Sequence, residues 1–135
     1  MVYELLTHST GMALGVAGLA SMGYGSLSMA NNRPEEDESG LVKTGAYGLN
    51  RHPQYLGYRL ISLGAFALYP SMESLALSII TFGLTERTAR IEEKKMMETF
   101  GEEYAEYMKN VPRWFPYKKI KSGLKSAIKR VRDSA

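Results

Sequence analysis

The sequence predicts an all-α fold: an integral membrane helical bundle with one N-terminal transmembrane helix, a helical hairpin and a cytoplasmic C-terminal amphipathic helix. Three observations carry that reading. Leu5 to Asn32 is 28 consecutive residues without Asp, Glu, Lys or Arg, enough to span a bilayer as a helix. A second apolar stretch, Tyr55 to about Leu84, is interrupted by the turn signal Pro70-Ser71. From Arg113 onward there are eight Lys/Arg against one acid, Asp133. The 135 residues read as a single domain, with 1–30 as the transmembrane helix, 41–116 as the core and 117–135 as the basic tail.

Residues 1–30 read as one helix rich in Gly, Ala, Ser and Met. No basic region precedes it and Glu4 stands where a cation would be expected, so it is not read as a cleavable signal. In water its glycines would each cost roughly 1 kcal/mol, so a membrane or a helix-packed core explains it better. Gly11 and Gly15 form a GxxxG pair, a spacing that lets another helix approach closely. That face is a candidate surface for a homo-oligomer. Asn31 to Gly40 is a polar break, and its acidic run Glu35-Glu36-Asp37-Glu38 reads as solvated loop.

The hairpin follows. Tyr55 to Tyr69 carries one charge, Arg59, and Ser71 is placed to cap a helix beginning at Met72. The uncharged stretches Leu60–Met72 and Ser74–Thr85 are 13 and 12 residues, shorter than the roughly 20 of a full span. A buried soluble hairpin therefore stays open beside a membrane one. Cations argue the orientation: none precedes the first helix, and the hairpin tip carries only Glu73. Arg33, Lys43, Arg51, Arg59 and everything from Arg87 onward lie on the other side, which places the N-terminus outside and the C-terminus in the cytoplasm.

The second hairpin helix is expected to run to about Phe100 and stop at Gly101. Glu102 to Asn110 is a short helix with Tyr104, Tyr107 and Met108 at i, i+3, i+4 spacing. Pro112 and Pro116 then hold the pair Trp114-Phe115 in a rigid aromatic plug, read as an interface anchor or lid packing rather than a cofactor box. In the tail, Ile120, Leu124, Ala127, Ile128 and Val131 share one stripe among seven cations, the pattern of a helix lying on an anionic membrane surface. Nucleic acid is the rival partner, but nothing else in the chain supports it.

The chemistry concentrates in Leu41 to Gly57, LVKTGAYGLNRHPQYLG. Gly45 and Gly48 bracket Tyr47, and Pro53 suits the first turn of a helix while pushing His52 toward an extended conformation. A helix N-terminus with an aromatic anchor is the plain alternative. There is no cysteine, so thiolate chemistry is excluded. Neither His8 nor His52 has carboxylates at metal-site spacing, and no metal centre is expected.

Two blocks carry a resemblance. The first is Leu41-Val42-Lys43-Thr44-Gly45-Ala46-Tyr47 with Asn50-Arg51-His52-Pro53-Gln54-Tyr55-Leu56-Gly57. The second is Arg90-x-Glu92-Glu93, then Phe100-Gly101-x-Glu103-Tyr104-x-x-Tyr107 and Arg113-x-Phe115-Pro116. In this order, separated by a hairpin, they resemble the isoprenylcysteine carboxyl methyltransferase and phospholipid methyltransferase superfamily of membrane enzymes. The resemblance implies S-adenosylmethionine as cofactor, held by Gly45, Ala46, Tyr47, Arg51, His52, Tyr55 and the pair Glu92 and Glu93. It implies Glu93 and an arginine just before it, Arg87 or Arg90, as catalytic residues, the arginine orienting the acceptor. It also implies a lipid-borne or prenylated acceptor of the isoprenylcysteine carboxylate or phospholipid amine type. Many such relatives carry more helices ahead of the first block than the one seen here. The alternatives are an NADPH-dependent sterol-type reductase, whose Arg-His-Pro block is similar, and a non-catalytic membrane-anchored module. A solvated helix end pairing with Lys94, Lys95 or Arg87 is the plain reading of Glu92-Glu93.

Overall fold

The structure, a computed structural model, describes residues 1–31 and 40–134. The acidic run and Arg33, which the sequence places in a solvated loop, lie outside the described residues. The described residues form α1 (Val2–Asn31), a 3-10 turn (Gly45–Gly48), α2 (Pro53–Leu68), α3 (Met72–Phe100), α4 (Glu102–Asn110) and α5 (Tyr117–Ser134). Among the described residues there is no strand.

Local chemistry sets the boundaries. Pro53 opens α2 at its first position, and the break after Leu68 falls at Tyr69-Pro70. Ser71 caps α3 by accepting from the Ser74 N–H at 3.2 Å, while Ser74 Oγ accepts from the Ser71 N–H at 3.1 Å. That reciprocal box replaces two orphan backbone donors with hydrogen bonds. Gly101, at φ 54°, ends α3 in a left-handed conformation that a side chain would disfavour.

α1 and α2 run side by side through a ladder of small residues. The buried positions of α1 are Gly11, Gly18 and Gly25, spaced by seven, and they meet Gly64, Gly57 and Pro53 of α2. A Cβ on Gly18 would lie 2.7 Å from the Gly57 carbonyl oxygen, and one on Gly64 would lie 2.7 Å from that of Gly11. The backbones touch, which only glycine permits. The Gly11 side of the expected oligomer face is therefore covered by α2 of the same chain, while a Cβ on Gly15 would meet nothing within 4 Å. The GxxxG pair is split because a helix repeats nearly every seven residues, so α2 takes the 11-18-25 line and leaves 15 at its edge.

The hairpin is held by polar groups. Ser78 Oγ donates to the Ser62 carbonyl at 3.0 Å, and Arg59 Nε donates to Thr85 Oγ1 at 2.8 Å. Arg59, Ser62, Ser74, Ser78, Thr85 and Glu93 are all buried. The outward residues are apolar: Val16, Leu19, Leu77, Ile79, Ile80 and Leu84 are each more than half exposed. The apolar core is correspondingly small, formed by Leu41, Tyr104, Tyr107 and Val111 with Phe100 and Met108 against it. It lies at the end of the bundle where α1 finishes, α2 begins and α4 folds back.

Among the described residues no helix is long and apolar enough to cross a membrane. α1 has the length, but its glycines, serines, threonines and His8 dilute the hydropathy that the missing charges suggested. Freedom from charge is a weaker property than hydrophobicity.

Candidate active site

The two sequence blocks meet. His52, immediately before α2, places Nε2 3.1 Å from Glu93 Oε1 on α3. One turn into α2, Tyr55 donates its hydroxyl to Glu92 Oε1 at 2.5 Å. The His52 and Tyr55 rings lie nearly parallel, 7° apart with centroids at 5.5 Å. The turn supplying these groups is fixed from three sides. Ala46 N–H donates to Ser28 Oγ of α1 at 2.9 Å, Arg51 N–H to the Pro112 carbonyl at 3.0 Å, and Tyr107 hydroxyl to the Tyr47 carbonyl at 2.7 Å.

Glu93 is a hub. Arg113 forks onto it, Nε to Oε1 at 2.9 Å and Nη2 to Oε2 at 2.6 Å. Arg51 Nη1 approaches Oε1 to 3.1 Å as an ion pair, off the line of a hydrogen bond. Burial alone would push the Glu93 carboxyl up. Hydrogen bonds from His52 and Arg113, with the charge of Arg51, outweigh it and hold the group at about 2. It is ionised at every physiological pH.

Seven residues back on the same face of α3, Glu86 forms a second hub. It accepts from Arg113 Nη1 at 2.7 Å, Arg59 Nη2 at 3.1 Å, Arg90 Nε at 3.0 Å and Trp114 Nε1 at 3.0 Å. Arg59 is sandwiched, its guanidinium carbon 3.5 Å from the Trp114 ring centre and 4.7 Å from that of Phe82. Delocalised charge between two ring faces is favourable where water is scarce. The Pro112–Pro116 plug is thus fastened over the hairpin through Arg113 and Trp114.

Beside these hubs lies a cavity of about 260 Å³, near the lower end of small-molecule sites, which start at roughly 300 Å³. Its polar wall is Tyr47, Arg51, His52, Gln54, Tyr55, Glu92, Tyr104 and Tyr107. Its apolar wall is Met29, Leu41, Val42, Met96 and Phe100. Burial pushes the phenols of Tyr47, Tyr104 and Tyr107 up, so all three are neutral hydroxyls. Asn50 Oδ1 and Arg51 Nε are buried without a hydrogen-bond partner, and Arg51 Nη1 has only its ion pair with Glu93.

Of the residues the sequence singled out, Tyr47, Arg51, His52, Tyr55 and Glu92 line the cavity. Gly45 and Ala46 stand behind it, Gly45 at φ 62° against Ser28 and Ala46 buried in the turn. Glu93 is behind the wall and saturated by protein cations, so Glu92 is the carboxylate that faces the space. Arg87 and Arg90 are exposed on α3 and do not line it, and Arg90 is paired with Glu86. Three contributors escaped sequence reading. Arg59 reads as the one charge in an apolar run, Glu86 carries no assigned part, and Arg113 belongs to a closing motif without a role. Their signal is tertiary, since each partner lies 20 to 28 residues away.

Two carboxylate hubs on α3 thus fasten the helices and the plug together, and Arg51, His52 and Glu92 line a small cavity beside them. Comparison with known families then gives the class a name. Residues 5–103 match the family model for phospholipid methyltransferase, and the chain belongs to that family. Among curated proteins it is similar to the protein-S-isoprenylcysteine O-methyltransferase of Saccharomyces cerevisiae, 36% identical over 84 residues, 62% of this chain and 35% of that protein. The human protein of the same name is 36% identical over 86 residues, 62% of this chain and 30% of the relative. For the B form of Arabidopsis thaliana the identity is 29% over 83 residues, covering 61% of this chain and 42% of the relative. The matched part of the chain thus spans about a third of the length of these relatives. No solved structure matches.

Proposed function

We propose that this protein is an S-adenosylmethionine-dependent methyltransferase acting on a lipid-borne carboxylate of the isoprenylcysteine type. The observation that carries the reading is the junction of His52 and Tyr55 with Glu93 and Glu92, across 41 and 37 residues of sequence, at the wall of one cavity. The family membership and the names of the relatives supply the reaction class.

The residues present fit such a cofactor. Arg51 at the cavity wall offers positive charge to a carboxylate, Glu92 offers negative charge to an ammonium or to ribose hydroxyls, and the apolar wall suits a flat base. When bound, S-adenosylmethionine supplies a methyl group on a positively charged sulfur, electrophilic enough for direct displacement. The chain's own work is alignment and the exclusion of water, worth several kcal/mol in such displacements. Glu92 and the phenols that line the cavity would hold such a cation without competing as nucleophiles, because Glu92 is engaged by Tyr55 and the phenols stay protonated. Glu93 is a positioning residue: through His52, Arg51 and Arg113 it holds the wall at a fixed distance from α3. The acceptor-orienting part proposed for Arg87 or Arg90 requires an acceptor approaching α3 from outside the cavity.

The bundle is proposed to sit in a membrane with the cavity at the cytoplasmic boundary and the N-terminus outside. Support comes from its inverted build, with Arg59, Ser62, Ser78 and glycines between helices and large apolar side chains facing out. Helices associate in lipid through such contacts. The chain has no cysteine, so single cysteines introduced at Val2 and Ser134 and probed with an impermeant reagent report the orientation directly.

The function is tested by incubating the purified protein with methyl-labelled S-adenosylmethionine and S-farnesylcysteine. Base-labile label on the farnesylcysteine supports the carboxylate reading. Label on the amines of a phospholipid extract instead would replace it with the phospholipid one, and label on neither would refute methyl transfer to either acceptor.

A further inference from the structure

We propose that α5 is a docking helix for an anionic lipid surface, extending the bundle onto the bilayer beside the cavity. Every residue of α5 from Tyr117 to Ser134 is exposed, and among the described residues no other helix packs along it. Its base is tied back by Lys118, whose Nζ donates to the Lys109 carbonyl at 2.6 Å. Beyond Lys119, whose Nζ lies near Gly48, its apolar stripe is uncovered: Ile120, Leu124, Ile128 and Val131 are 52%, 60%, 59% and 70% exposed.

The distribution around the helix selects the occupant. At about 100° per residue the stripe fills roughly 100° of arc. Lys121 and Arg132 border one side of it and Lys119 and Arg130 the other, while Asp133 falls on the far side with Lys129. A flat surface with an apolar interior and negative headgroups meets the stripe and both borders at once. Nucleic acid would pair with the cations but leave the apolar stripe in water. A second copy would cover the stripe but set seven cations against seven. The helix starts one residue after the Arg113–Pro116 plug that fastens onto Glu86 and Glu93, so it emerges at the polar end of the bundle. Residues 117–134 also lie beyond the stretch that defines the family, which ends at residue 103, so the inference stands apart from the methyl-transfer reading.

The test is amide hydrogen exchange on the full chain in lipid nanodiscs, of phosphatidylcholine alone or with about 30 mol% phosphatidylserine. The α5 amides are expected to exchange at least about tenfold more slowly in the anionic discs, and to lose that protection in about 0.5 M salt, where the Debye length falls to a few ångströms. Two variants remove the two halves of the surface: Leu124→Asp with Ile128→Asp, and Lys119→Gln, Lys121→Gln, Arg130→Gln and Arg132→Gln together. Each is expected to abolish the difference while the α1–α3 amides stay protected, which reports the bundle separately. Equal α5 exchange in both discs would overturn the proposal. So would protection that rises with protein concentration in lipid-free detergent, which indicates a second copy, or protection that appears only on adding RNA.

Discussion

Arg113 grips both carboxylate oxygens of Glu93, at 2.9 and 2.6 Å, and with its remaining nitrogen reaches Glu86 at 2.7 Å. One guanidinium thereby bridges two carboxylates two turns apart on α3 and pins the Pro112–Pro116 segment across the site. Arg113→Ala leaves two carboxylates short of a partner in a partly buried setting. Removing one member of such a pair typically costs about 3–5 kcal/mol. Melting of the detergent-solubilised protein is expected to drop accordingly, and Arg113→Lys, which cannot fork, is expected to recover less than half of the loss.

Glu93 also sets a pH dependence. Its folded-state pKa lies near 2, below the ordinary 4.5, so folding gains from its ionisation above about pH 4.5 and loses that gain as pH falls toward 2. The shift corresponds to about 3 kcal/mol. Urea midpoints measured from pH 6 down to pH 2.5 are expected to fall steeply below pH 4.5 in the wild type. In Glu93→Gln, already destabilised, the same interval is expected to be flatter.

Much of the secondary structure was legible in the sequence because local chemistry decides it. Pro53 opens α2, Ser71 caps α3, Gly101 ends it, and Glu102–Asn110 forms the short helix that the tyrosine spacing indicates. The pairing of Arg51-His52 with Glu92-Glu93 was legible only through resemblance to a family. What stayed hidden is what helix crossing decides. Nothing in Arg59 or Glu86 says that they face one another, and Gly11 could have met any helix before α2 was seen against it. The charge-free run of α1 also overstated its hydropathy, since serine, threonine and glycine are uncharged without being apolar.

Gly18 and Gly57 bring α1 and α2 into backbone contact, where a Cβ on either would lie within 2.7 Å of the other's carbonyl oxygen. Gly18→Val is expected to push the helices apart and destabilise by about 1–3 kcal/mol, as overpacking does. Gly15→Val, at an open position, is expected to change stability little. A melt of both variants beside the wild type checks the contrast.

Arg59 tests whether its charge or its shape matters. Arg59→Lys keeps the cation but loses the stacking on Trp114 and the hydrogen bond to Thr85, a substitution that is not conservative at a stacked site. Trp114 fluorescence is expected to shift toward the red as the plug loosens, with stability lower by roughly 1–2 kcal/mol. An unchanged spectrum would mean that the plug is held without Arg59.

The most direct measurement is a calorimetric titration of S-adenosylmethionine into the purified protein and into His52→Ala and Glu92→Gln. Saturable one-to-one binding by the wild type is expected, weakened at least about tenfold in each variant, which corresponds to about 1.4 kcal/mol. Undiminished binding by both variants, or none by a wild type that is demonstrably folded, would contradict the placement of the methyl donor between the two blocks.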